Sequence, residues 1–173
     1  TMRSADLATS SFGQSQTVTM VQMAAAFSSV VNGGYYYTPH VVKEIQNENG
    51  ATVSEIETQP VHKVVTAETS KLLRGYLYKT VEEGTAKAAQ VKGYKVGGKT
   101  GTAEKYPRKK KNYLVSFIGF TPIEHPEVVI YVVIDQPHVE DQAHSSYASS
   151  VFSQIMGDIL PYLNVFPTTD LPE

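Results

Sequence analysis

The chain has 173 residues, with 15 Lys and Arg against 17 Asp and Glu for a net charge of −2; that length suits one domain or one lobe, and that balance excludes a general polyanion binder. It has no cysteine, which removes disulfides and thiolate chemistry, and neither an apolar run long enough to cross a bilayer nor a signal-peptide pattern at its start. Charged residues amount to 18 %, below the ~25 % usual for soluble domains, so part of the surface is expected to be covered by something else.

Residues 1–16 are small and polar without a sustained period and read as a loop or entry strand. Thr19 with Gln22 has capping-box spacing, and Met20 to Val31 is apolar nearly all round. Asn32-Gly33-Gly34 ends that helix. A helix apolar on every side is expected to be enclosed on every side. Tyr35-Tyr36-Tyr37, Val41 to Ile45 and Ala51 to Ile56 read as strands around an Asn47-Glu48-Asn49-Gly50 turn, a peripheral hairpin over 35–60. The tyrosine run suits stacking on sugars, but ordinary strand aromatics fit it better. Thr66 caps the next helix, with Glu68 in its first turn. Leu73, Tyr76, Leu77 and Val81 share one face, and Gly84 ends it. Residues 85–95 give no clear period and are expected to form a mobile loop.

Late strands are predicted within 96–135: from Val96 through Thr102, from Tyr113 to Phe120, and from Val128 to Ile134. The last is apolar on both faces, so both should be covered. The short connections favour antiparallel pairing. Tyr147, Val151, Ile155 and Ile159 then define an amphipathic helix over 145–160 that stops before Pro161. The fold class is therefore α/β of the mixed α+β type, an antiparallel sheet flanked by helices.

The stretch Gly97-Gly98-Lys99-Thr100-Gly101-Thr102-Ala103 supports two readings. Gly93 to Thr100 matches the phosphate-loop pattern G-x-x-x-x-G-K-[ST], and Asp135 ends an apolar strand as a magnesium carboxylate would. Such a loop must open a helix whose free amides face the phosphates. Here Pro107 follows too soon for a helix. The second reading places Lys99-Thr100-Gly101-Thr102 on the edge strand of an antiparallel sheet. Lys99 then offers a cation to an anionic substrate terminus and biases proton transfer near a serine. The Thr100 and Thr102 hydroxyls are expected on opposite faces unless a twist or bulge at Gly101 joins them. Gly101 lets a peptide approach the backbone. The free edge can take an extended peptide as an added strand, and the Thr102 amide can donate to an oxyanion.

Lys-Thr-Gly, with an S-x-x-K motif elsewhere, marks penicillin-binding proteins and class A β-lactamases. The chain resembles the C-terminal part of the transpeptidase domain of a class B penicillin-binding protein. The resemblance is carried in order by Ser11-Phe12-Gly13-Gln14, Thr17-Val18-Thr19, Gln22-Met23-Ala24-Ala25-Ala26, Asn32-Gly33-Gly34 and Pro39. It continues through Val81 to Gly84, Thr85-Ala86, Gly97 to Ala103, Phe117-Ile118-Gly119-Phe120 and Asp135, spanning most of residues 10–160. It implies a serine D,D-transpeptidase that cross-links peptidoglycan stem peptides ending in D-Ala-D-Ala and is acylated by β-lactams. Lys99 would join the catalytic hydrogen-bond network, while Thr100, Gly101 and Thr102 would line the substrate site. No cofactor, metal or nucleic acid is implied. The implied location is the bacterial cell envelope, outside the cytoplasmic membrane.

No serine here is followed by lysine three positions on, and no S-x-N occurs. The chain is therefore expected to be one wall of an active site, inactive alone, with the N-terminal part of the same domain covering its apolar surface and self-association when isolated. A non-catalytic peptide-binding lobe is the alternative of a different class. Lys105-Tyr106-Pro107-Arg108-Lys109-Lys110-Lys111 carries five cations and reads as a solvated, partly disordered hairpin tip, with attraction of an anionic polymer as the functional alternative. His138, Glu140, Asp141 and His144 lack metal-ligand spacing, and Ser145-Ser146 beside His144 do not make a triad by adjacency.

Overall fold

The computed structural model describes residues 3–11, 13, 14 and 16–167. Thr1, Met2, Phe12 and Ser15, which belong to the first stretch read above, lie outside the described residues. That stretch holds a short helix, α1 (Ser4–Ser10), not a strand. At its start the Asp6 carboxylate accepts from the Arg3 backbone amide at 3.1 Å and from the Arg3 guanidinium at 3.0 Å. With Leu7 its one large apolar residue, no hydrophobic period announces it.

Helix α2 (Met20–Val31) begins as its sequence dictates. The Thr19 hydroxyl accepts from the Gln22 amide, and the Gln22 side chain accepts from the Thr19 amide. It ends where the Asn32 side chain accepts from the Gly34 and Tyr35 amides. Within this chain alone α2 is not enclosed: Met20 and Val21 are 50 % and 60 % exposed, on surface that the rest of the domain is expected to cover.

The segment read as one hairpin over 35–60 is two nested pairs. β1 (Tyr35–Tyr36) pairs with β4 (His62–Lys63), and inside it β2 (Glu44–Gln46) pairs with β3 (Thr52–Glu55). Val41 and Val42 are not in the strand. The nest closes at Gly34, where a Cβ would stand 2.0 Å from the Val65 carbonyl oxygen, and the backbone adopts φ +100°. Only glycine fits there.

Helix α3 (Ala67–Glu82) starts at Thr66, whose hydroxyl accepts from the Thr69 amide. Its buried residues are Ser70 and Val81, while Tyr76 of the predicted face is exposed. The Ser70 hydroxyl accepts from the Gly33 amide at 3.0 Å and so joins α3 to the end of α2. The Glu68 carboxyl is held below its usual range, first by its own backbone amide, then by the Thr66 hydroxyl, against a smaller upward push from burial. A lowered folded value stabilises the protein above the unfolded value of 4.5, and that contribution is lost as pH falls through the folded value. The Tm of wild type and Glu68→Gln is therefore expected to differ near neutral pH and to converge on acidification. Parallel Tm curves across pH 3–7 would show that the carboxylate does nothing there.

Residues 85–95 are not a mobile loop. Ala86, Ala89 and Val91 are buried around a 3₁₀ turn (Lys87–Ala89), and the Tyr94 hydroxyl donates to the Val165 carbonyl. They complete the core with Val81, Val96, Phe117, Ala148, Phe152, Met156 and Leu160.

The main sheet has the order β5-β6-β7, all antiparallel, from β5 (Gly97–Glu104), β6 (Tyr113–Thr121) and β7 (Val128–Asp135). Helices cover both of its faces. Phe117 meets Phe152 of α4 (Ser146–Tyr162) edge-on at 4.7 Å. Phe120, three residues along and so on the opposite face, lies 6.0 Å from Phe27 of α2. β7 is half-buried along its apolar length rather than fully covered. In α4 the core stripe is Ala148, Phe152, Met156 and Leu160, not the predicted one, since Val151 and Ile155 are exposed. The helix also runs past Pro161, because a proline this late removes only one amide and the Leu163 amide still reaches the Ile159 carbonyl at 2.9 Å. Among the described residues, no helix is long and apolar enough to cross a membrane.

Candidate active site

Lys99, Thr100, Gly101 and Thr102 lie in the middle of β5. Its pairing with β6 runs unbroken from Gly97↔Phe120 to Glu104↔Tyr113. This settles the two readings of the glycine-rich stretch. Thr100 continues a strand and opens no helix, so the amide cluster that cradles a phosphate is not formed, and Gly93–Thr100 is no phosphate loop. Among the described residues, β5 has a strand partner on one side only, which makes it an edge strand. Residues two apart on a regular strand share a face. Thr100 and Thr102 therefore stand on the same side without any bulge, and the expected twist at Gly101 is not needed.

Lys99 is exposed. Its Nζ donates to the Thr100 carbonyl at 3.0 Å and lies 3.5 Å from Thr100 Oγ1. No carboxylate among the described residues pairs with it, so its charge is available to a ligand. Thr85 Oγ1 lies 3.5 Å on from Thr100 Oγ1, making a short polar row of ammonium and two hydroxyls. Thr85 was not picked out as a site residue in the sequence. Its signal was its place in the Thr85-Ala86 pair of the resemblance, one residue beyond Gly84. Thr102 is exposed and half of the strand beyond Gly98 is open to solvent. The glycine at 101 has a reason inside the protein: a Cβ there would stand 2.5 Å from Ser116 Oγ on β6.

A groove of about 310 Å³ lies elsewhere, between α2 and the β1 segment, lined by Val21, Ala24, Ser28, Tyr35, Tyr37 and others. Its lining contains no charged residue. Tyr36 is a strand aromatic stacked on His62 at 5.2 Å. Of the polar residues at 138–144, His144 and Asp141 form a 3.1 Å pair, and among the described residues no group of three His, Asp or Glu converges as a metal site would require.

The model of the penicillin-binding protein transpeptidase domain matches residues 2–157. The chain is 44 % identical over 164 residues to stage V sporulation protein D of Bacillus subtilis, covering 92 % of this chain and 25 % of that protein. It is 29 % identical over 173 residues to a probable peptidoglycan D,D-transpeptidase PenA of Neisseria meningitidis, covering 98 % of this chain and 28 % of the relative. Among solved structures it superposes on the apo transpeptidase domain of Burkholderia pseudomallei penicillin-binding protein 3 with a TM-score of 0.81 at 30 % identity, covering 97 % of this chain and 49 % of that one. The chain thus spans about a quarter of the length of these curated relatives and about half of the solved domain. An edge strand bearing Lys-Thr-Gly-Thr, helices on both faces of an antiparallel sheet, and this match over most of its length establish that the chain belongs to the penicillin-binding protein transpeptidase family.

Proposed function

We propose that this chain supplies the Lys-Thr-Gly-Thr wall of a serine D,D-transpeptidase active site, in a protein that cross-links peptidoglycan stem peptides in the cell envelope, outside the cytoplasmic membrane, and is acylated by β-lactams. The observation that carries this reading is the extended, one-sided pairing of residues 97–104 with an unpaired ammonium at Lys99. A peptide ending in D-Ala-D-Ala docks along the free edge as an added strand. Its carboxylate is held by the Thr100 and Thr102 hydroxyls, which share a face, and is drawn in by the Lys99 charge. The Thr102 amide donates to the oxyanion that forms as serine attacks, an interaction worth roughly 2.7–4 kcal/mol in other enzymes. Lys99 also biases the proton taken from that serine. Because no S-x-x-K occurs in these 173 residues, the nucleophile comes from elsewhere in the protein.

The test is acylation by a fluorescent penicillin followed by peptide mapping. The full-length protein is expected to be labelled at a serine outside residues 1–173, while the isolated chain stays unlabelled. A labelled serine inside the chain, or a full-length protein that resists labelling, would refute this assignment.

A further inference from the structure

We propose that Lys109, Lys110 and Lys111 form a basic rim at the end of β5 that recognises an acidic side chain of the substrate peptide, upstream of its terminal carboxylate. The inference rests on the reading of β5 as the peptide-docking strand.

The loop after β5 closes in a turn. The Lys105 amide donates to the Asn112 carbonyl at 2.8 Å, and a 3₁₀ turn (Arg108–Lys110) leads to Lys111. Its cations fall into two groups. Lys105 reaches across the sheet to both Asp135 oxygens at 2.7 Å, and Arg108 lies 3.8 Å from Glu104. Lys109, Lys110 and Lys111 are exposed and have no carboxylate partner among the described residues. Five cations against two carboxylates leave three positive charges in excess at one end of the strand, in a chain whose net charge is −2.

The burial of β5 decides which way a docked peptide runs. Gly97 and Gly98 are buried, whereas Lys99, Thr102 and Glu104 are exposed. A peptide whose carboxylate sits at Thr100 and Thr102 therefore has room only towards Glu104 and the loop, antiparallel to β5. At about 3.3 Å per residue, the start of the loop is roughly 10 Å beyond Thr102, and lysine side chains extend that reach. The rim consequently meets residues about three to five positions from the peptide's carboxyl end. Lys109 and Lys110, successive in the 3₁₀ turn, fan out by roughly 120°, and Lys111 follows in a left-handed conformation, so the three ammonium groups act as a field and not as a fitted pocket. Their effect is accordingly sensitive to salt. The chain has no second basic run to extend this field into the continuous face that a wall polymer or membrane would need.

In the full-length protein, binding of two dye-labelled pentapeptides ending in D-Ala-D-Ala would be compared, one with Glu and one with Gln at the third position from the carboxyl end. Wild type is expected to prefer the acidic peptide by about three- to tenfold at low salt, with the preference closing at 0.5 M NaCl. The combined Lys109→Gln, Lys110→Gln, Lys111→Gln variant is expected to bind the two alike, at an unchanged Tm. Equal binding by wild type, or a preference that survives the triple substitution, overturns the rim and leaves the β5 reading standing. Failure of both peptides to bind overturns both. Salt-sensitive capture of glycerol-phosphate oligomers or phosphatidylglycerol vesicles, lost in the variant and without peptide preference, overturns it too.

Discussion

Phe152→Ala is expected to cost about 3–5 kcal/mol of stability, the range for emptying a buried aromatic site, read as a lowered denaturant midpoint. Phe152 is fully buried, stands edge-on to Phe117 at 4.7 Å, and lies on the same stripe of α4 as the equally buried Met156 and Leu160. Phe117 is in the strand next to β5, so the cavity would open directly beneath the candidate site. Ile155→Ala is the internal control. That residue is 40 % exposed and its truncation removes only a part of the usual contacts, about 1 kcal/mol. A larger loss from Ile155 than from Phe152 would mean that α4 presents its other stripe to the sheet.

Lys99→Met is expected to reduce the acylation of the full-length protein by penicillin about a hundredfold or more, the scale on which a positioned proton-transfer partner acts. The same change should leave Tm where it is. Lys99 is exposed, forms no ion pair among the described residues, and bonds only to the neighbouring Thr100, so its removal takes nothing from the core. Stopped-flow labelling with a fluorescent penicillin, beside a thermal melt, separates the two effects. Acylation within threefold of wild type would remove Lys99 from the catalytic network. A fall in both quantities would make it a structural residue.

Local chemistry was legible wherever the cause of the structure is local. Thr19 with Gln22, and Thr66 at the next helix start, announced their helices through hydroxyl and amide groups three residues apart. Strands rich in valine and isoleucine were equally plain, and with them the setting of Lys99 to Thr102. What depends on distant partners was hidden. Ala86 and Ala89 carry almost no signal of their own, and become core only because α3 and α4 close over them. β4 is two residues long and exists because Tyr35 and Tyr36 lie opposite it. In α4 two apolar stripes run one residue apart, Val151-Ile155-Ile159 and Phe152-Met156-Leu160. Only the sheet against which the helix rests distinguishes them. The side shared by Thr100 and Thr102 was misjudged for a plainer reason: the two-residue alternation of a strand already puts them together.

The pinch at Gly34 has a consequence for how the molecule tolerates change. The nested strands from Tyr35 to Lys63 leave the body and return to it at one place, where Gly34 lies against Val65, and nearly every residue between is exposed. Such an appendage is joined to the body as a leaf is joined to a stem. Its length and sequence can drift, and its tip can be cut or replaced, while the strand carrying Lys99 keeps its geometry.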